Sequence, residues 1–242
     1  MFRGCIMDGL FSHVHAAAER VLRVNGYAIR ACPGQQCCGA LHAHAGQHES
    51  AAALARANVR ALAAEPDAAI AVDSAGCGAM LKDYGRLLAR DPLSAAAAAV
   101  SARVRDVTEL LADAGPRSGA ALDVRVAYDP PCHLLHAQRV ADAPEAVLAA
   151  VPGLMRPAHA EADLCCGGAG SYSLTERDLS RRILARKVAA LRDARPEVVV
   201  TGNPGCAMQI GAGLRAAGLR LPVAHPVELL DWSYERAGEY GD

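Results

Sequence analysis

Eight of the nine cysteines in this 242-residue chain fall into two sets of almost the same spacing. The first set is Cys5, Cys37-Cys38 and Cys77; the second is Cys132, Cys165-Cys166 and Cys206. Cys37 follows Cys5 by 32 residues and Cys77 follows Cys38 by 39, while the second set has intervals of 33 and 40. Each adjacent pair runs into glycine, in Gln36-Cys37-Cys38-Gly39-Ala40 and in Leu164-Cys165-Cys166-Gly167-Gly168. A pattern dealt out twice requires a duplicated unit, each copy bringing three distant segments to one place. It is a doubled metal site or a doubled redox site. Cys32 is left over and reads as a small apolar residue near a strand end.

An odd cysteine count fits poorly with a pure disulfide framework, and no basic-then-apolar leader precedes Cys5. Metal or redox chemistry in a reducing compartment is the expectation, hence a cytoplasmic protein, with peripheral association at the inner face of a membrane left open. The 52% hydrophobic content is inflated by alanine-rich helical stretches. No run approaches the roughly 18 apolar residues of a transmembrane segment, since Ser94 and Ser101 bracket the best candidate. A formal net charge of −1 gives no reason to expect nucleic acid as a partner.

Periodicity predicts an α/β fold of two pseudo-symmetric lobes, 1–115 and 120–242, each a mostly parallel sheet with flanking helices. In the first lobe the expected elements are a helix over 12–24 with Val14, Ala18, Val21 and Leu22 inward, and a strand over 27–31. A helix over 49–64, a buried strand over 69–72, a loop over 73–78 carrying Cys77, a helix over 79–89 and a mostly helical 91–114 follow. Residues 115–119, Gly-Pro-Arg-Ser-Gly, form the best linker. The second lobe repeats the order: a strand over 124–128, a helix over 173–192 opened by a Ser173–Glu176 capping box, a strand over 198–201, and a loop ending at Cys206. The internal match sets 55–59 against 185–189.

Four thiolates per lobe suit either Zn²⁺ or an iron–sulfur cluster. Adjacent cysteines have diverging β-carbons, so converging both on one tetrahedral ion strains the backbone, whereas a multi-iron cluster offers each a separate metal. The chain has no Cys-x-x-Cys anywhere, which removes the zinc knuckle, the ferredoxin run and the thioredoxin motif. Zinc in one lobe and metal-free dithiol chemistry remain as alternatives.

The segments 37–44, 74–85, 129–136 and 164–174 together resemble the cysteine-rich CCG domains of the heterodisulfide reductases. They are closer to the C-terminal part of the glycolate oxidase iron–sulfur subunit. The resemblance covers essentially the whole chain. It implies a 4Fe-4S cluster in each lobe, held by Cys5, Cys37, Cys38 and Cys77 and by Cys132, Cys165, Cys166 and Cys206. It further implies a flavin-containing dehydrogenase subunit as partner, oxidising a 2-hydroxy acid, with electrons passing toward a quinone-level acceptor. Glycolate oxidase iron–sulfur subunits also carry an N-terminal ferredoxin-like segment; none precedes Cys5 here, so a separate ferredoxin-like subunit or a truncated or split chain is expected. Heterodisulfide reductase domains close each set with Cys-x-x-Cys, where this chain has Ser74 and Asn203. That departure favours an ordinary four-iron cluster and counts against disulfide-reducing catalysis.

Outside the cysteines, His42, His44, His48, His133 and His136 are candidates for donors near the site or for proton uptake, set against solvated loop histidines. Lys82, Asp83 and Tyr84 read as a solvated helix face or as a quinone or partner surface. Tyr172 could donate to a sulfur or pack. Asp129 is expected to cap the turn at Cys132, and Trp232 to anchor packing. No catalytic triad or phosphate-binding glycine loop is present.

Overall fold

The helix over 12–24 forms as its stripe dictates. In the computed structural model, which describes residues 1–241, α1 (Cys5–Leu10) leads into α2 (Ser12–Val24), and Val14, Ala18, Val21 and Leu22 are all buried. Asn25 closes it by donating to the Val21 carbonyl. The next segment departs from expectation. Residues 27–31 form no strand: Tyr27 and Ile29 are drawn onto the α2 core while the amino terminus donates to the Arg30 carbonyl. The edge position is taken instead by Phe2, which bridges Val72 in parallel.

The remaining elements are α3 (Ala40–His44), α4 (His48–Leu62), β1 (Ile70–Val72), α5 (Ala75–Lys82), α6 (Tyr84–Leu87), α7 (Ser94–Arg103), β2 (Val104–Asp106) and α8 (Val107–Ala114). The second half holds β3 (Val126–Tyr128), a π-helical turn at His133–Ala137, α9 (Asp142–Ala149), α10 (Tyr172–Thr175), α11 (Arg177–Ala194), β4 (Val198–Val200), α12 (Pro204–Ala216), β5 (Val223–Ala224) and α13 (Pro226–Ala237). Both sheets are parallel. Phe2–β1–β2 in one half repeats as β3–β4–β5 in the other. The fold is thus α/β with two lobes, as expected from the duplicated pattern.

Three local readings are corrected. Residues 91–114 are not continuous helix: β2 interrupts them, because Val104 adds to the buried edge of β1 and Asp106 then caps α8. The Ser173–Glu176 capping box does not form; Ser173 lies in the short α10, and Glu176 itself precedes α11. Capping boxes occur instead at Asp106–Glu109 and His225–Glu228, each where the last strand of its half ends. Both match the expected spacing of cap and N3 acid. Finally, Cys77 and Cys206 are not on loops. Each is the third residue of its helix, because Ser74 and Asn203 take extended N-cap conformations and Pro204 suits a first helical position.

The two halves exchange their last helices. α8 packs on α9, and α13 lies across α2. One core therefore holds Val21, Leu22, Val107, Leu111, Val147 and Leu230 together. Arg20 grips Asp231 with two hydrogen bonds of 2.9 and 2.6 Å, and the Tyr234 hydroxyl reaches Asn25 from the far end of the chain. Tyr234 is the fully buried anchor of this seam, whereas Trp232, two residues earlier, is 38% exposed. At the junction of the halves His15 Nδ1 lies 2.5 Å from Asp73 Oδ2, both side chains buried. Among the described residues no helix is long and apolar enough to cross a membrane.

Asp106 makes a pH-dependent contribution. Burial pushes its carboxyl up from 3.8 to about 6, against hydrogen bonds from Thr108 that favour the anion. A carboxyl whose folded value exceeds its unfolded one stabilises fully below the unfolded value, and that share is lost as pH rises through the folded one. A rise of about 2 units corresponds to roughly 3 kcal/mol. Asp106→Asn keeps an acceptor for the Thr108 N–H and is expected to remove that slope. Its thermal midpoint should fall below wild type near pH 4 relative to its standing near pH 7, where it should gain. Parallel curves for the two proteins across this range would contradict the assignment.

Candidate metal centre

Each lobe gathers its four cysteines where helices begin. In the first, Cys5 opens α1, Cys37 and Cys38 precede α3, and Cys77 lies in the first turn of α5. Cys5 Sγ stands 3.3 Å from Cys37 Sγ, and Cys38 Sγ stands 3.4 Å from Cys77 Sγ. In the second, Cys132 precedes the π-helical turn, Cys165 and Cys166 precede α10, and Cys206 lies in the first turn of α12. There Cys132 faces Cys165, and Cys166 faces both Cys165 and Cys206. All eight predicted site residues are thus brought together as two quartets. Among the described residues, no group of three or more His, Cys, Asp or Glu side chains is arranged as it stands to hold a metal ion. Cys32 joins neither quartet; it packs beside the first-lobe core, and burial raises its thiol.

The glycine after each pair lets the chain make this turn. Gly39 and Gly167 both sit at φ +85°, a left-handed conformation that costs other residues roughly 1–2 kcal/mol. Space is short as well. A Cβ would come 3.3 Å from the Ala51 carbonyl oxygen at Gly39 and 2.7 Å from that of Ser180 at Gly167. Gly4 is small for a different reason: a Cβ there would stand 3.0 Å from Cys77 Sγ.

Backbone N–H groups point at the sulfurs. Those of Ile6, Gly39 and Ala40 serve Cys5, Cys37 and Cys38, and those of His133, Gly167 and Gly168 serve Cys132, Cys165 and Cys166. The Gly167 N–H lies 3.3 Å from Cys165 Sγ. Cys77 and Cys206 receive side-chain donors instead, from Ser74 and Asn203. The protons are shared unevenly. Cys37 is held low, first by its bond from Cys38; Cys165 is held low first by Cys132; Cys77 and Cys206 are held low by Cys38 and Cys166. Their partners go up: Cys5 chiefly by burial, Cys38 through Cys37, and Cys132 and Cys166 through Cys165. The sulfurs of a quartet thus compete for protons, and a cation among them favours ionisation of all four. An all-sulfur donor set fits zinc or an iron–sulfur cluster.

Two buried polar residues that sequence reasoning passed over hold the CCG turns. Asn58 accepts from the Gln36 N–H at 2.7 Å and donates to the Cys37 carbonyl at 2.9 Å. It also donates to the Tyr84 hydroxyl, which in turn donates to the Cys38 carbonyl at 2.8 Å. Tyr84 is fully buried, so it belongs to the site's support and not to a surface beside Lys82 and Asp83. In the second lobe Lys187, 1% exposed, donates to the carbonyls of Glu161 and Ala162 and pairs with Asp129 at 2.6 Å. Asp129 accordingly holds a lysine where a turn cap was expected. Asn58 and Lys187 each sit seven residues past the carbonyl beneath their glycine, Ala51 or Ser180. They are equivalent, and the internal match of 55–59 to 185–189 shifts by one residue.

The histidines divide. His42 faces Cys37, and His133 Nδ1 lies 3.7 Å from Cys132 Sγ. His44 crosses to the other lobe, its ring edge-on to His133 with centroids 5.7 Å apart and its side chain against Gly170. His133 is held below the usual imidazole range, first by burial and then by His44. His136 turns away to the Asp163 carbonyl, and His48 is exposed at the start of α4. Tyr172, half-buried at the start of α10, has no hydrogen bond to sulfur among the described residues. Lys82 and Asp83 are paired with Glu109 and Arg86, and with His44 and His133 they line a groove between the lobes.

Comparison with known proteins agrees with this duplicated geometry. The chain is 35% identical over 241 residues to the probable glycolate oxidase iron–sulfur subunit of Bacillus subtilis and 36% identical over 242 residues to the glycolate oxidase iron–sulfur subunit of Escherichia coli. Each match takes in 98% of this chain but only 54% and 58% of the relative, so the chain spans a little over half their length. Lactate utilization protein A of Geobacillus kaustophilus matches at 28% over 235 residues, covering 96% of this chain and 97% of that protein. Residues 1–82 and 126–211 match the cysteine-rich domain named CCG, one copy for each thiol quartet. With both copies present and most of the chain within them, the protein belongs to the cysteine-rich CCG domain family.

Proposed function

We propose that this chain is an iron–sulfur electron-transfer subunit of a glycolate oxidase-like complex that oxidises a 2-hydroxy acid. Each half, 1–115 and 120–242, holds one 4Fe-4S cluster, on Cys5, Cys37, Cys38 and Cys77 and on Cys132, Cys165, Cys166 and Cys206. The observation that carries this reading is the pair of all-sulfur quartets, each at converging helix N-termini and lined with backbone donors. A bound cluster supplies reversible one-electron storage. The chain's own residues hold and tune it. Peptide N–H groups and helix ends favour negative charge on the sulfurs, and Asn58 and Lys187 fix the CCG turns. The two adjacent-cysteine pairs, whose β-carbons diverge, support a cluster over zinc.

The partner is a flavin-containing dehydrogenase subunit that takes electrons from glycolate, lactate or a similar acid, as the names of the relatives suggest. The electrons go on toward a quinone-level acceptor. A ferredoxin-like unit, which resemblance to the longer relatives calls for, belongs to a separate chain or to a neighbouring part of the same protein. A cytoplasmic position with peripheral attachment at the inner membrane face suits such a relay. Anaerobic purification followed by iron and acid-labile sulfide analysis, with electron paramagnetic resonance of the reduced protein, tests the proposal. Brown protein with matching iron and sulfide, two cluster signals and a co-purifying flavoprotein are expected. A colourless, iron-free protein carrying zinc would overturn it.

A further inference from the structure

The last cysteine of each quartet has a polar residue three positions earlier, Ser74 before Cys77 and Asn203 before Cys206. The two do not play the same part. The Ser74 side chain lies beside its own cysteine and helps to hold that thiol low. Asn203 donates from Nδ2 to Cys206 Sγ at 3.5 Å, while its Oδ1 accepts the Gly76 N–H of the other lobe at 3.0 Å. Only this orientation of the amide satisfies both contacts. Gly76 is the immediate neighbour of Cys77 and lies in the first turn of α5, where N–H groups lack partners within the helix. The α5 N-cap has no side-chain capping bond of its own. The contact is backed by a second one, Ala75 N–H to the Gly202 carbonyl at 3.1 Å. A Cβ on Gly76 would come 3.3 Å from Asn203 Oδ1, and one on Gly205 would come 3.2 Å from Nδ2.

We propose that Asn203 is a positioning residue shared by the two quartets, a single amide that sets the sulfur environment of Cys206 and caps the helix presenting Cys77. This rests on the iron–sulfur reading above. Hydrogen bonds to sulfur stabilise the more negative state of a cluster and so raise its reduction potential. A serine at 203 would copy Ser74, keeping a donor for Cys206 while falling short of Gly76. The two contacts can therefore be separated.

The test uses the full chain, purified anaerobically, in wild-type, Asn203→Ala and Asn203→Ser forms. Amide hydrogen exchange at Gly76 is expected to quicken at least tenfold in both variants. In a redox titration followed by electron paramagnetic resonance, on a Cys38→Ser background that leaves the second-lobe signal alone, Asn203→Ala should lower the potential and Asn203→Ser should largely restore it. Unchanged Gly76 exchange in Asn203→Ala would overturn the proposal. So would a second-lobe potential that ignores the alanine variant or falls as far with serine. Should the wild-type chain bind no iron, the functional reading fails on its own, and the exchange measurement still decides whether Asn203 caps α5.

Discussion

Cys166→Ser is expected to halve the bound iron and to erase one of two cluster signals, leaving the other in place. Cys166 is 3% exposed and stands between Cys165 and Cys206, with the Gly168 N–H directed at it. A serine oxygen fits that space but is a harder donor, and its hydroxyl does not ionise in the range where a thiol does, so the second quartet loses a ligand that its neighbours cannot replace. Cys38→Ser should produce the mirror result in the first lobe, since Cys38 is equally buried and faces Cys77 at 3.4 Å. Cys32→Ser should leave iron content and both signals untouched, because Cys32 belongs to neither quartet. Metal analysis on the three variants settles the matter. Full iron in both Cys38→Ser and Cys166→Ser would mean that the quartets do not hold it.

The two cysteine sets were legible because their spacing repeats almost unchanged from one half to the other. Glycine at 39 and 167 was legible for the same reason: a left-handed turn over a helix carbonyl tolerates nothing larger. What lay beyond the sequence was which polar residues would be buried. Asn58 and Lys187 look like ordinary members of helix faces, and only their position over the CCG turn turns them inward. The one-residue slip in the internal match concealed their equivalence, since setting 55–59 against 185–189 pairs Asn58 with Val188 and Lys187 with Ala57. Two short strands, β2 and β5, were lost likewise. Val104-Arg105-Asp106 has no alternation to show, and its strand character comes from the neighbour it joins, β1. The exchange of α8 and α13 between the halves is a property of packing between distant segments, and neither helix announces it alone.

Replacing Lys187 is expected to be the most damaging change outside the cysteines. Its ammonium is buried with Asp129 at 2.6 Å and also binds the carbonyls of Glu161 and Ala162, so one side chain ties the segment before Cys132 to the segment before Cys165. Burial already pushes the Asp129 carboxyl up, with Lys187 as its chief counterweight. Lys187→Met removes that counterweight and leaves a buried carboxylate without a cation. Losses of roughly 3–5 kcal/mol follow when one partner of such a pair is removed. At about 2–4 °C per kcal/mol for a chain of this size, the thermal midpoint should fall by roughly 6–20 °C. Iron should be lost from the second lobe before the first. Adding Asp129→Asn removes the stranded charge and should recover much of the stability, though not all, because the two carbonyls remain without a donor. Asn58→Ala, the equivalent change in the first lobe, breaks only neutral hydrogen bonds and should cost about 1–3 kcal/mol. If Lys187→Met proves no worse than Asn58→Ala, or if Asp129→Asn gives it no relief, the charge pair is not what holds the second CCG turn.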